Sequence, residues 1–388
     1  MVGGQQQGAA TGIGRDVPAP ATDRPAAEAG YSRMYMDVFR RGMRGMCTLS
    51  VIAVVSSALL VLAVPAPRWL VVFSTLVALL LVVSTGVAFV RWTPMLSSVS
   101  AMMDSRPWRP VTVYRIFRGR RTYLVELTDV DGSRGLYRVY HNLRPWFDVA
   151  GRTGVLWMVG PDSKGRAGLR LAGIHVPLLA RKRRRARRGD SQMRVSRPAL
   201  DPARTAADDP VVAGYMRWAR SQAWWNLVVT VLSMAVATTY MAGLVTATEA
   251  GVWLRTEAGI APSGPAMMLA AVLVVAVASV GFWLRNVRDI LMMPRLLRRG
   301  SWTRLPAGLA RPYRPNRQGF AVLELAVGLP DGSIRYVVVR NARPELAEYV
   351  DATGELWLAG LPHGSGPTAC GVPGYAILEV ARPSPAPR

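Results

Sequence analysis

The sequence predicts an α+β membrane protein in which four transmembrane helices form two hairpins, each followed by a small cytoplasmic β-barrel-like domain, OB-like or SH3-like. Three observations predict it. Four apolar runs of 19 to 21 residues carry no charge. The phrase TGVLWMVG at Thr153 to Gly160 returns as TGELWLAG at Thr353 to Gly360. The polar regions between the runs alternate apolar and polar residues around Asp-Gly turns, the period of a half-buried strand.

Residues 1–30 are Gly, Ala, Pro and Gln with almost no large apolar side chain, so a disordered tail is expected there. Residues 31–98 are a juxtamembrane segment and the first hairpin, with spans at 46–64 and 70–90. At about 1.5 Å per residue each span reaches the roughly 30 Å of a hydrocarbon core. A buried helix of a soluble protein seldom runs that far without a charge. The link Pro65 to Trp69 suits only a tight helical hairpin, and the long lead before the first run excludes a cleaved signal peptide. Residues 211–298 repeat the layout with spans at 227–245 and 266–284, joined by a longer loop, 246–265.

Arginines set the orientation. Arg33, Arg40, Arg41 and Arg44 precede the first span, and Arg91, Arg106 and Arg109 follow the second. Arg217 and Arg220 precede the third, and Arg285, Arg288, Arg295, Arg298 and Arg299 follow the fourth, while the hairpin tips carry only Arg68 and Arg255. The positive-inside rule then places both termini and both polar regions in the cytoplasm of a multi-pass cell (inner) membrane protein.

The two halves read as an internal tandem duplication. Tyr31 in AGYSRM matches Tyr215 in AGYMRW; Asp131, Gly132 and Ser133 match Asp331, Gly332 and Ser333; Arg144 and Pro145 match Arg343 and Pro344. The pairs Leu156-Trp157 and Leu356-Trp357 follow in order. In each β domain, 106–180 and 300–382, five strands with a short helix after the third are expected, Asp131 and Asp331 shaping hairpin turns. Pro344 and Glu345 suit the first turn of that helix. Trp157 and Trp357 are expected to fill the barrels, their indole N–H groups finding backbone carbonyls. Residues 383–388 form a tail.

The chain has 48 basic and 24 acidic residues, and Lys164 and Lys182 are its only lysines. The densest charge lies at the head of a basic linker, 181–210: Arg181, Lys182, Arg183, Arg184, Arg185, Arg187 and Arg188. Near an anionic leaflet such a run gains about 1 kcal/mol per charge, which makes these seven the candidate contact for anionic lipid or for a protein partner. Its plainer reading is a solvated linker that holds the connector inside. No stacking motif accompanies it, so nucleic acid is not an expected partner. The second β domain is close to charge-balanced, which argues for different roles of the two copies.

Catalysis has little support. His141, His175 and His363 are scattered, with no metal-binding spacing, nucleophile elbow or phosphate loop. Cys370 lies in a Gly/Pro-rich stretch, LPHGSGPTACGVPGY, read as a hairpin loop rather than a nucleophile site. No cofactor or metal is expected. The sequence points to a non-catalytic polytopic protein presenting two β domains to a protein partner, to a copy of itself or to an anionic lipid surface. The alternative is a subunit of a channel, transport or export assembly, although the spans offer only Ser and Thr hydroxyls, which suit helix packing.

Overall fold

A computed structural model describes residues 17–63, 68–119, 122–140, 144–185, 191–193, 204–228, 287–316, 319–361 and 366–386, with the isolated helical positions 231, 274, 281 and 284. Most of the expected third and fourth spans and the loop 246–265 lie outside the described residues, as do residues 1–16. The chain divides into two compact units: residues 1–39, 95–218 and 292–388, and residues 40–94 and 219–291.

The second unit holds most of two long helices, α1 (Ser32–Ala63) and α2 (Arg68–Ser105). Among the described residues one stretch, Ala78–Ser105, is long and apolar enough to cross a membrane. Inside this unit Ser50 and Thr85 join α1 to α2 through their hydroxyls at 2.7 Å, so a small polar pair holds the helices at close approach.

The first unit contains two closed six-stranded barrels. In the first, β1 (Arg109–Arg118), β2 (Tyr123–Thr128) and β3 (Arg134–Val139) precede a helix, α3 (Arg144–Thr153). After it come β4 (Val155–Val159), β5 (Arg166–Leu171) and β6 (Ile174–Arg183). The order β1-β2-β3-β6-β5-β4 closes because β1 is shared: Arg109–Thr112 pair with β4 and Thr112–Arg118 with β2. A two-residue strand, β7 (Ser191–Gln192), adds to the end of β1. The chain then passes through a 3-10 turn at Ala206–Asp208 into helical residues 210–228 (α4), and helical residues 287–297 (α5) lead into the second barrel.

That barrel repeats the plan: β8 (Trp302–Leu309), β9 (Ala321–Gly328), β10 (Ile334–Ala342), α6 (Pro344–Thr353), β11 (Glu355–Ala359), β12 (Thr368–Gly371) and β13 (Leu378–Pro383). Here β8 is the shared strand. The bend is fixed alike in both copies, by Val113 N–H donating to Gly154 O and Ala307 N–H to Gly354 O, each 2.8 Å.

Alternation explains which residues enter the cores. On β9 and β10, Leu323, Leu325, Val327, Val337 and Val339 are buried; on β4 and β11 the buried pairs are Leu156, Met158 and Leu356, Leu358. The expectation that Trp157 and Trp357 fill the barrels is therefore corrected, because their positions face outward in this period-2 pattern and both are half-buried. Trp357 donates to the Tyr349 hydroxyl on α6 at 2.9 Å rather than to a backbone carbonyl. The buried indoles here are Trp108 and, on α3, Trp146.

Turn chemistry follows the sequence. Asp131 and Asp331 accept the Ser133 and Ser333 N–H at 2.9 and 3.0 Å, and Gly132 and Gly332 supply φ of +80°. Those serine hydrogen bonds hold both carboxyls below the usual range. α6 begins at Pro344 and ends on Gly354 at φ +69°.

Two further expectations change. Each barrel has six strands, not five: Thr368–Gly371 and Arg166–Leu171 are buried along most of their length, so they lack the alternation that marks a half-exposed strand. Residues 17–30, expected as tail, lie on the first barrel. Ala26 and Ala27 N–H donate to Arg106 O and Met103 O at 2.8 and 2.9 Å, and the Trp108 indole donates to Ala26 O at 3.0 Å. Small side chains let this segment approach closely enough for its backbone to be bonded, which hydrophobicity alone does not reveal.

The barrels dock reciprocally, hairpin to helix. The β5–β6 tip of the first places His175 against Glu345 and Glu348 of α6. The β12–β13 tip of the second receives Arg152 of α3 on Gly374 O, with the guanidinium 5.4 Å from the Tyr375 ring. Each tip also meets the segment that leads into a long helix: Gly173 N–H donates to Pro18 O at 3.1 Å, and Gly374 N–H to Asp209 Oδ2 at 2.6 Å.

A candidate functional site: the basic cleft of the first barrel

An open cleft of about 1100 Å³ lies on the first barrel. It is lined by Glu126 of β2, Arg134, Gly135 and Leu136 of β3, Ser163 and Lys164 of the β4–β5 turn, Arg181, Lys182 and Arg183 of β6, and Arg184 and Arg185 beyond it. Seven cations and one carboxylate thus line it, and all seven cations are exposed. Both lysines of the chain are among them.

The strands dictate the convergence. β6 runs to Arg183, three residues past the expected domain end at 180, because Arg183, Lys182 and Arg181 pair with Leu136, Tyr137 and Arg138 of β3. Three of the seven basic residues of the linker's densest stretch are therefore in a strand. The turn that carries Lys164 is set by Asp162, whose Oδ1 accepts the Lys164 and Arg166 N–H at 2.9 and 2.8 Å and whose Oδ2 accepts the Ser98 hydroxyl. Partial burial raises that carboxyl, but the Ser98, Arg166 and Lys164 donors outweigh it and hold Asp162 below the usual range. Lys182 N–H donates to Gly165 O at 2.6 Å, fixing the turn against β6.

Beside the cleft, Arg138, Arg181 and Arg166 form one cross-strand row over β3, β6 and β5. Like charges directly opposite on a sheet repel. Arg134 also stacks on Tyr114, its guanidinium carbon 4.3 Å from the ring centroid, with Arg115 at 4.8 Å on the same ring.

Of the sequence-predicted contact residues, the structure brings Arg181, Lys182, Arg183, Arg184 and Arg185 together in the cleft. Arg187 and Arg188 lie outside the described residues. Arg134 and Lys164 were missed, since they join only through register. The available signal was the pairing of the third and sixth strands.

Among the described residues no group of His, Cys, Asp and Glu could hold a metal ion. His141 and His363 lie outside them. His175 is fully buried: Arg170 Nη2 donates to Nδ1 at 2.8 Å, so the ring proton sits on Nε2, facing Glu348. The Cys370 thiol is buried and pushed up by that burial, the state of a packing residue.

The chain matches no family model, no curated protein and no solved structure.

Proposed function

We propose that the chain is a polytopic protein of the cell membrane, anchored by four spans in two hairpins, that presents two β-barrels in the cytoplasm and acts by binding rather than catalysis. The order hairpin, barrel, linker, hairpin, barrel, with one strand plan used twice, supports a tandem duplication as its origin. One observation carries the membrane reading. The apolar side chains of α1 and α2 face outward, with Val51, Val72, Leu76, Leu80, Val87 and Val90 each more than half exposed. Only 17% of the most apolar window of Ala78–Ser105 is buried. A soluble protein would cover that much continuous apolar surface with its own core, whereas hydrocarbon covers it without cost.

The barrels then carry the recognition. The first offers the basic cleft and the second a nearly neutral counterpart, so the pair would engage different surfaces: an anionic one and a protein partner or second copy. Cysteine labelling tests the topology. Ser133→Cys and Ser333→Cys, placed singly at exposed turns in a chain lacking Cys47, should resist an impermeant thiol reagent added to intact cells and react after lysis. The protein should also stay in the membrane pellet through alkaline carbonate washing. Labelling from outside, or release by carbonate, would overturn the scheme.

A further inference from the structure

The geometry points to a definite ligand class: we propose that the cleft of the first barrel binds an anion with clustered phosphate charge. The inference rests on the binding role proposed above, and only its lipid form requires the membrane.

The second barrel supplies an internal control. The β9–β10 turn at Asp331–Ser333 repeats the β2–β3 turn at Asp131–Ser133, so Ile334 stands where the first barrel has Arg134. Val338 faces Arg382 where Arg138 faces Arg181, and Pro383 stands where Lys182 does, opposite Val337 and Tyr137 respectively. The same six-stranded barrel closes with isoleucine, valine and proline at these positions. The fold therefore does not require the cations, and a row of three arginines is a cost the second copy avoids.

Charge and shape narrow the ligand. Among the described residues no carboxylate lies within salt-bridge distance of the seven cations, and Glu126 is the one acid lining the cleft. A single carboxylate would leave most of that charge unbalanced. Phosphate groups bring about −1.5 to −2 charges each as monoesters and three acceptor oxygens. Arginine forks read planar oxygen pairs and lysines act as mobile point charges, and the cleft contains both. Its volume exceeds one phosphate and suits two or more held together. The turn that carries Lys164 is held against β6, because the Gly165 carbonyl takes the Lys182 N–H. Register puts Arg134, Leu136 and Arg183 on one face of β3 and β6, since Leu136 is directly opposite Arg183. Arg134 and Arg183 are the contacts assigned to the ligand first, because the register places them on the same face.

The test uses the full-length protein in detergent, with inorganic pyrophosphate as probe at constant ionic strength. Calorimetry should show saturable one-to-one binding. The double change Arg134→Gln and Arg183→Gln should weaken it at least tenfold while leaving the melting temperature in place. The matched change Arg335→Gln and Arg382→Gln on the second barrel should leave it within twofold. Binding that does not saturate, or that falls equally with both pairs, would show diffuse charge attraction and overturn the proposal. Reconstitution into phosphatidylcholine nanodiscs with and without cardiolipin, whose headgroup carries two phosphates, separates the sources. Competition between cardiolipin and pyrophosphate identifies a headgroup in the cleft; unchanged pyrophosphate affinity identifies a free anion. Failure of pyrophosphate binding leaves the carbonate and labelling results untouched, so the two proposals fail separately.

Discussion

Replacing Arg170 by Met removes one guanidinium from the centre of the barrel–barrel joint while nearly keeping its volume. The side chain is 1% exposed. Its Nε donates to Ile174 O at 3.2 Å, Nη1 to Ala29 O at 2.8 Å and to Ser32 Oγ at 3.3 Å, and Nη2 to His175 Nδ1 at 2.8 Å. Burial pushes the guanidinium down to about 10, against the pull of Glu348 and Glu345, so it is charged at neutral pH. Methionine satisfies none of the four acceptors and removes a charge whose field reaches Glu348 and Glu345. An orphaned buried acceptor costs about 1–3 kcal/mol, and two backbone carbonyls, Ile174 O and Ala29 O, lose this donor. Taking about 3 kcal/mol for the lost hydrogen bonds, the segment at Ala26–Tyr31 should open roughly a hundredfold more often. Hydrogen exchange reads this directly, because the Ala26, Ala27 and Ala29 amides are bonded to Arg106 O, Met103 O and Ala26 O. A loss of protection below tenfold at these amides would refute the reasoning, meaning that water or a neighbour satisfies the abandoned acceptors.

Two other outcomes follow from the same joint. Asp209 starts α4 by accepting the Val211 N–H at 2.8 Å on Oδ1, and its Oδ2 holds Gly374, so Asp209→Ala should cost about 2–4 kcal/mol in denaturant titration of the solubilised protein; Asp209→Asn, which keeps one acceptor, should recover part of that. Glu348, although burial raises it, is held below the usual range by His175 and Arg170, so its contribution is present above the unfolded value near pH 4.3 and lost as pH falls through the folded one. Asp209 acts oppositely, because burial raises its carboxyl and that contribution fades as pH rises through the folded value. The melting temperature of Glu348→Gln should therefore depend less steeply on pH than wild type between pH 5 and 3, and an unchanged slope would remove Glu348 from the account.

The two barrels were legible because their signals are local. Asp131-Gly132 and Asp331-Gly332 announce hairpins, Leu323, Leu325 and Val327 alternate, and Pro344 and Gly354 bracket a helix. The extra strand of the second barrel escaped because Thr368–Gly371 is short, uniformly buried and set among Gly and Pro. The cleft was half legible. Its β6 arginines stand in one run, whereas Arg134 and Lys164 arrive through cross-strand register, which the amino-acid order does not state. The joint was not legible at all, for Arg170, His175 and Glu348 are single polar residues inside apolar patterns, and only their meeting gives them a partner.

The reciprocal docking has a consequence for synthesis. Tyr35 donates to Glu345 at 3.0 Å across a separation of 310 residues, so its acceptor leaves the ribosome long after the donor. Until then the nascent first barrel holds half of a latch, with Arg170 and His175 at an open seam that wants a surface like α6. Translation through α6 is what shuts it, and a second nascent chain nearby is an alternative source of the missing half. Crowded polysomes and slow elongation between the barrels thus favour exchanged pairs, and prompt completion of the second barrel favours the self-contained form.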